Sequence, residues 1–199
     1  MKLRTILLTL AVGLISIGSA EELAIGSDLP IPKYTMPVVG GGEVSLESKM
    51  GDAGLVVIFS CNTCPWVLAW EDRYVSLVDA YESKGFGFIA VNSNAGYRNG
   101  VDSMAEMTAH ARANGYNFSY TVDKSSRLAR EFGATRTPHV FIFDKAGKLV
   151  YRGAIDDNAH QPDKVEATYL ADALDAMLAG EVIKQHSTKA LGCTIKFSD

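Results

Sequence analysis

Two cysteines separated by two residues, Cys61 and Cys64, constrain this chain more than any other feature. They follow an apolar run at residues 55–59 that is typical of a buried strand. A helical pattern comes after them, because apolar side chains recur on one face at three- to four-residue spacing: Val67, Trp70, Tyr74, Leu77, Val78 and Tyr81. Pro65 suits the first turn of that helix, where a missing N–H is not needed. The pair is therefore predicted to lie where a strand ends and a helix begins.

The start of a helix changes the chemistry of a thiol that is placed there. Unpaired N–H groups and the positive end of the helix dipole favour a thiolate over a thiol. We therefore expect a redox-active pair in which Cys61, predicted as the more exposed member, is the nucleophile and has a pKa below its usual value. Cys64 is close enough in the chain to resolve a mixed disulfide formed on Cys61.

Two other interpretations of the C-x-x-C motif stay open at this point. A zinc site needs two further ligands at matching spacing, but the chain has no second C-x-x-C motif and its four histidines are scattered. A purely structural disulfide between Cys61 and Cys64 would close a very short loop, where the stabilisation from a cross-link is smallest. We predict no metal site and no cofactor.

The amino terminus has the features of a secretory signal peptide. Lys2 and Arg4 precede an apolar stretch at residues 6–17, and small residues precede the expected cleavage after Ala20. The stretch is shorter than the roughly 20 residues that span a bilayer, and no other stretch is long and apolar enough to cross one. We predict three parts of the chain: a leader at residues 1–20, a single domain at 21–180 and a C-terminal tail at 181–199.

Export would place the mature chain in the periplasm or outside the cell, in an oxidising compartment where disulfides persist. Loss of the leader takes the formal net charge from −4 to −6, because the leader carries two positive charges and no negative ones. A mildly acidic chain without a basic run is a poor candidate for binding nucleic acid. We therefore predict neither a nucleic-acid partner nor a transmembrane segment in the mature chain.

The rest of the pattern alternates strands with helices. Short β-type runs on either side of Gly40, Gly41 and Gly42 predict an N-terminal hairpin. Further strands are predicted at residues 55–60, 86–92, 120–122, 140–143 and 149–151, and helices at 64–83, 103–114, 126–132 and 165–179. This order is typical of the α/β class, with a mixed central sheet flanked by helices. The C-x-x-C motif would lie at the carboxyl end of a parallel strand, where sites in such sheets are found.

A second element of the site is predicted at Thr137 and Pro138, directly before an apolar strand. A cis Thr137–Pro138 bond would expose backbone groups of Thr137 to an extended peptide lying beside the cysteines. An ordinary trans proline at the start of a strand is the alternative, and the sequence by itself favours it.

Together these features resemble the thioredoxin superfamily, and in particular its exported, peroxiredoxin-like branch with an alkyl hydroperoxide reductase/thiol-specific antioxidant type domain. The resemblance spans residues 29–197 and is carried by residues 61–66, 71–73, 90–94, 133–138, 151–153, 155–157 and 192–196. It implies a thioredoxin-like fold with an N-terminal β-hairpin extension and a redox-active disulfide between Cys61 and Cys64. It also implies a cis Pro138 and a substrate-binding role for Thr137 and Pro138. The dipeptide Asn62-Thr63 departs from the Gly-Pro of a typical thioredoxin reductant, so the direction of electron transfer is not implied.

Three classes of function stay open. The leading prediction is a thiol–disulfide oxidoreductase that acts on protein thiols or disulfides and has an unidentified redox partner. The second class is a thiol peroxidase, in which one cysteine attacks a hydroperoxide and another resolves the sulfenic acid. The third is a Cu(I)-binding chaperone, which soft thiolates and a histidine would suit, although chaperones on the fold that this chain resembles space their cysteines by three residues.

Cys193 is the odd cysteine, and it lies in a β-type run after the last predicted helix. A second resolving thiol, a link to another chain and a quiet, partly buried thiol are all compatible with its position. We expect the quiet thiol, because a C-x-x-C motif already contains its own resolving cysteine.

The other polar residues near the motif are expected to be structural. Residues 71–73 fit a solvated helix face, and Trp66 fits packing beside the site. His139 and His160 fit surface or hydrogen-bonded histidines rather than bases or metal ligands.

Overall fold

The structure is a computed structural model that describes residues 21–198. The predicted leader at residues 1–20 lies outside this range. No helix within residues 21–198 is both long and apolar enough to cross a membrane.

Strands and helices alternate along most of the described chain. The strands are β1 (Met36–Pro37), β2 (Glu43–Val44), β3 (Gly54–Ser60), β4 (Phe86–Asn92), β5 (Ser119–Val122), β6 (Arg136–Thr137), β7 (His139–Asp144), β8 (Leu149–Gly153) and β9 (Cys193–Thr194). The α-helices are α1 (Leu46–Lys49), α2 (Pro65–Tyr81), α3 (Met104–Ala113), α4 (Arg127–Phe132) and α5 (Tyr169–Ala179).

A five-stranded sheet in the order β5-β4-β3-β7-β8 forms the centre of the fold. β3 pairs in parallel with β4 and antiparallel with β7, so the sheet is mixed. All seven residues of β3 are buried, because the sheet is covered on both faces. The last residue of β3, Ser60, lies opposite the last residue of β4, Asn92. The carboxyl ends of these two strands therefore meet at one edge, directly before the C-x-x-C motif.

Side chains of β3 alternate between two hydrophobic cores, as the two-residue period of a strand requires. Val56 and Ile58 pack with α2 and α5 on one face. Leu55, Val57 and Phe59 pack with α1 and α4 on the other. The prediction of an α/β fold with a mixed sheet between helices is confirmed.

Three details differ from the sequence-based expectation. The N-terminal hairpin exists, but each of its strands is only two residues long. Residues 46–49, expected to include the start of a surface turn, form the short helix α1, because the side chains of Ser45 and Ser48 make a capping box at its start. α5 begins at Tyr169 rather than at residue 165, since Pro162–Lys164 form a separate 3₁₀ turn.

The segment after α5 returns to the domain. Ile183 and Ala190 are buried, and Ile195 lies in the core beside α4. β9 then pairs antiparallel with β6, the two-residue strand directly before Pro138. This pairing brings the C-terminal segment to the same edge of the molecule as the C-x-x-C motif.

Phe59 offers a test of how strongly the core depends on β3. Its ring makes edge contacts with Phe132 and Phe141, at centroid distances of 5.2 and 5.7 Å, and it is fully buried. Phe59→Ala should lower the free energy of unfolding by about 3–5 kcal/mol, because it removes buried area and leaves a cavity. Chemical denaturation measures the change, with Leu68→Ala on the exposed side of α2 as the control, expected to cost less than about 1 kcal/mol. Equal effects of the two variants would contradict this account of the core.

Candidate active site

The two cysteines of the motif lie on a short turn between β3 and α2. Cys61 directly follows β3, and Cys64 is the residue that precedes the first turn of α2, with Pro65 as its first residue. The side chains of both cysteines are almost fully buried, each with 3% of its surface exposed, whereas Thr63 between them is exposed. The motif therefore presents Thr63 to solvent and keeps its sulfur atoms beneath the surface.

Thr137 contacts both sulfur atoms. The Thr137–Pro138 bond is cis, which confirms the prediction for Pro138. The Cys61 Sγ lies 3.2 Å from the Thr137 Oγ1, and the Cys64 Sγ lies 3.1 Å from the Thr137 carbonyl oxygen, to which the protonated thiol donates. The side chain and the backbone of one residue therefore hold the two thiols side by side.

The backbone edge of Thr137 was predicted to receive a substrate peptide. In the structure, strand β9 of the same chain occupies this edge. Thr137 lies opposite Cys193 in the antiparallel pair of β6 and β9. A Cβ atom at Gly192 would collide with the Thr137 carbonyl oxygen, so only glycine allows this close approach. Cys193 packs against the buried cluster of Cys61 and Cys64 and is only partly buried. It is partly buried as expected, and it lies in the site rather than apart from it.

The order of acidity of the two motif cysteines is the reverse of the prediction. A hydrogen bond from the Cys61 thiol lowers the pKa of Cys64 to about 4, and the side chain of Cys193 and the backbone N–H of Val67 act in the same direction. The pKa of Cys61 is raised, because its proton is shared with Cys64 and its side chain is buried. The physical reason is the hydrogen bonding among the three cysteines: Cys64 accepts from the Cys61 and Cys193 side chains, while Cys61 is buried and shares its proton with Cys64.

Asn62 anchors the turn through three hydrogen bonds. Its backbone N–H donates to the Asp102 Oδ1 at 3.0 Å, and its side-chain amide donates to the Val101 carbonyl oxygen at 2.7 Å. The Tyr120 hydroxyl donates to the Asn62 Oδ1 at 2.8 Å. The asparagine that departs from the thioredoxin pattern therefore fixes the conformation of the motif.

Asp102 is the centre of a buried polar network that the sequence reasoning missed. Besides Asn62 it accepts from the side-chain amides of Asn92, at 2.7 Å, and Asn94, at 2.8 Å. Asn94 in turn accepts from the backbone N–H of Lys196, at 2.8 Å, three residues after Cys193. The network thus joins the C-x-x-C turn to the C-terminal strand. The available sequence signal was the run of amide side chains at the carboxyl end of β4, the edge where the cysteines were expected.

Residues 71–73 do not form the solvated face that was predicted. Glu71 is buried, and its carboxylate lies 2.6 Å from the His110 Nε2 and accepts from the Tyr116 hydroxyl at 3.0 Å. Arg73 forms an ion pair with Asp156. Only Asp72 is exposed. The error arose because this helix is covered on more than one side, which a single stripe of apolar residues does not reveal.

The two histidines near the motif differ from each other. His160 is exposed, as expected, with its ring 5.1 Å from that of Trp66, which packs beside the site as predicted. His139 is buried, and neither of its ring nitrogens has a hydrogen-bond partner in the described structure. Burial, with a smaller effect from Arg152, lowers its pKa to about 3, so the ring is neutral. Its faces pack against the ring of Phe141, and it lies in the core as an apolar side chain would.

Within residues 21–198 no group of three or more histidine, cysteine, aspartate or glutamate side chains has the arrangement of a metal site.

Comparison with known proteins supplies the family. The sequence profile of the AhpC/TSA family matches residues 28–152. No curated protein matches the chain. Among solved structures, an uncharacterized conserved protein from Geobacillus kaustophilus is 34% identical, with a TM-score of 0.81 over 88% of this chain and 93% of that one.

Two further solved structures share the fold at lower identity. The thioredoxin domain of a thiol-disulfide oxidoreductase from Bacteroides vulgatus is 20% identical, with a TM-score of 0.57 over 72% of this chain and 97% of that one. The peroxidoxin BcpB from Mycobacterium tuberculosis is 14% identical, with a TM-score of 0.60 over 78% and 96% of the two chains. Both confirm the thioredoxin-like fold.

The acidity of Cys64 can be measured without a reagent that must reach the buried sulfur. The ultraviolet absorbance of thiolate in the reduced protein should rise through about pH 4 rather than near the usual thiol value of 9.0. Cys64→Ser should abolish this transition. A transition that persists in Cys64→Ser and disappears in Cys61→Ser would restore Cys61 as the acidic thiol.

Asp102→Ala tests the buried network. It leaves three donors without an acceptor, at about 1–3 kcal/mol each, so the free energy of unfolding should fall by about 3 kcal/mol or more. The exposed Asp163 makes a matched control, since Asp163→Ala should change stability by less than about 0.5 kcal/mol. Denaturation curves measure both, and an Asp102→Ala protein as stable as the control would refute the role of the network.

Proposed function

Because the chain belongs to the AhpC/TSA family, we propose that it is a thiol–disulfide oxidoreductase that cycles Cys61 and Cys64 between dithiol and disulfide. The observation that carries this proposal is the contact of both sulfur atoms with Thr137, beside the start of α2. Two thiols held together, one of them acidic, form a site for thiol–disulfide exchange.

The acidity of the pair supports Cys64 as the nucleophile and Cys61 as the resolving thiol, the reverse of the roles expected from the sequence. The Cys64 thiolate attacks a sulfur of the substrate disulfide, and the first substrate thiolate leaves and takes up a proton. Cys61 then loses its proton and attacks the Cys64 sulfur, which releases the second substrate thiol. The protein is left with a Cys61–Cys64 disulfide, and two electrons have passed to the substrate. The reverse sequence oxidises a substrate dithiol.

The cellular setting of this chemistry also belongs to the proposal. A leader at residues 1–20 would export the domain at 21–180 and the tail at 181–199 to the periplasm or the exterior. Protein thiols and disulfides are abundant substrates in such a compartment, and a second redox protein would return the pair to its starting state.

A thiol peroxidase is a second candidate, and the position of β9 favours it. The paired strand covers the peptide edge of Thr137, and the motif sulfurs are 3% exposed, so a small oxidant reaches them more easily than a protein does. The Cys64 thiolate would attack one peroxide oxygen, and the other oxygen would leave as water or an alcohol. Cys61 would then attack the sulfenic sulfur of Cys64 and release water, which yields the same Cys61–Cys64 disulfide.

Quenched reactions of cysteine-to-serine variants test the proposal. We expect reduced protein with both Cys61→Ser and Cys193→Ser to accumulate a mixed disulfide on Cys64 when it is mixed with glutathione disulfide, because no second thiol is left to resolve it. Cys64→Ser should react only at the background rate of an ordinary buried thiol. Mass spectrometry of the intact protein and its peptides locates the adduct.

Rates of thiol loss in the wild-type protein distinguish the two candidate functions. Faster loss of thiols with hydrogen peroxide than with disulfides at equal concentration identifies a peroxidase, and the opposite order identifies an oxidoreductase. A wild-type protein that forms no Cys61–Cys64 disulfide with either oxidant would overturn both.

A further inference from the structure

We infer that Cys193 is a third redox-active thiol, which attacks Cys64 in the oxidised protein and takes over the disulfide from Cys61. The inference rests on the proposed Cys61–Cys64 redox pair and adds a step after it. It replaces the expectation of a quiet thiol.

Backbone geometry holds Cys193 at the pair. β9 places it opposite Thr137, whose carbonyl oxygen contacts the Cys64 thiol. The absent side chain of Gly192 lets the strand lie directly on the Thr137–Pro138 peptide. The Cys193 side chain packs against the two motif cysteines. Cys193 therefore reaches the pair without any rearrangement of the fold.

The neighbouring segment is fixed on both sides of Cys193. The Arg136 guanidinium donates to the Gly192 carbonyl oxygen at 2.8 Å, and the Ile195 N–H donates to the Thr135 carbonyl oxygen at 2.9 Å. Ile195 is buried in the core. These contacts make β9 an ordered part of the site, and they keep the third thiol at a high local concentration beside Cys64.

The exchange step is balanced within the protein. The Cys193 thiolate attacks the Cys64 sulfur of the Cys61–Cys64 disulfide, the Cys64–Cys193 bond forms, and the Cys61–Cys64 bond breaks. Cys61 leaves as a thiolate and takes up the proton that Cys193 lost. No electron enters or leaves, so the step needs no external oxidant.

The charges around Cys193 favour this step when the pair is oxidised. In the reduced protein, burial and the neighbouring Cys64 raise the pKa of Cys193 to about 11, while Lys196 and Arg136 act in the opposite direction. Once Cys64 belongs to a disulfide its negative charge is gone, and the two cations still favour a Cys193 thiolate. Cys193 thus becomes a better nucleophile in the state where it is needed.

The new disulfide is easier to reduce than the first one. Cys193 is only partly buried, whereas Cys61 and Cys64 are each 3% exposed. A thiolate of an incoming dithiol reductant attacks the Cys193 sulfur, and Cys64 leaves as a thiolate, which its low pKa makes a good leaving group. The second thiol of the reductant then releases Cys193, so two electrons enter at the surface.

The first experiment asks whether the Cys64–Cys193 bond forms. Cys61→Ser protein is treated with diamide, which oxidises two thiols to a disulfide, and its peptides are mapped without reduction. We expect an intramolecular Cys64–Cys193 disulfide in most of the protein. Cys64→Ser is the matched control and should give little Cys61–Cys193 disulfide, because Cys193 lies against Cys64. A Cys61→Ser protein that keeps both remaining thiols free would overturn the inference.

The second experiment measures re-reduction of the oxidised protein by dithiothreitol. Cys193→Ser should be reduced about tenfold or more slowly than wild type, because only buried sulfurs are left to attack. Thr194→Ser, at the exposed neighbouring position of β9, should be reduced at the wild-type rate. Equal rates for Cys193→Ser and wild type would also overturn the inference.

The outcomes separate this inference from the proposed function. Formation of the Cys61–Cys64 disulfide in Cys193→Ser protein tests the redox pair alone, while the diamide treatment of Cys61→Ser protein tests the Cys64–Cys193 bond without Cys61. Should Cys193→Ser fold poorly by circular dichroism, Cys193→Ala replaces it in the kinetic measurement, and the mapping of Cys61→Ser still decides.

Discussion

The contacts of Thr137 are the interaction on which the site depends. Its hydroxyl lies against the Cys61 sulfur, its carbonyl oxygen lies 3.1 Å from the Cys64 sulfur, and its backbone pairs with Cys193. The C-x-x-C pair and Cys193, which lie far apart in the sequence, thus converge on one residue of a two-residue strand. The central sheet fixes this arrangement, because the end of β3 pairs with the start of β7. Cys61 follows β3 and the Thr137–Pro138 segment precedes β7, so both lie at the same edge of the sheet.

A buried polar network gives the turn its rigidity. Unpaired polar groups are costly in a protein interior, so a fully satisfied set of hydrogen bonds specifies one conformation strongly. Asp102 accepts from the backbone of Asn62 and from two asparagine side chains, and each of these asparagines holds a different segment. The C-x-x-C motif is therefore supported from the end of β4 and from the start of α3, and not only by its own helix.

The elements with a strong local signal could be predicted from the sequence. The apolar run of β3, the periodic face of α2 and the alternation of strands and helices led to the correct fold, and the cis Pro138 followed from the resemblance to a family. The order of acidity could not be predicted, because it depends on burial and on hydrogen bonds among Cys61, Cys64 and Cys193 that only the tertiary fold creates. The position of Cys193 depends on a long-range strand pair of two residues, which has no local pattern. The partners of Asn62 are likewise set by the tertiary fold.

Gly192 limits which sequences can keep Cys193 beside the C-x-x-C motif. Any other amino acid at this position would put a carbon atom onto the Thr137 carbonyl oxygen. The strand that carries Cys193 would then have to move away from the cysteine pair, even though the substitution touches neither a thiol nor the core. A single replacement at this position would therefore separate the third cysteine from the other two, and a lineage that accepted it would keep the fold and the C-x-x-C motif while losing the three-thiol cluster.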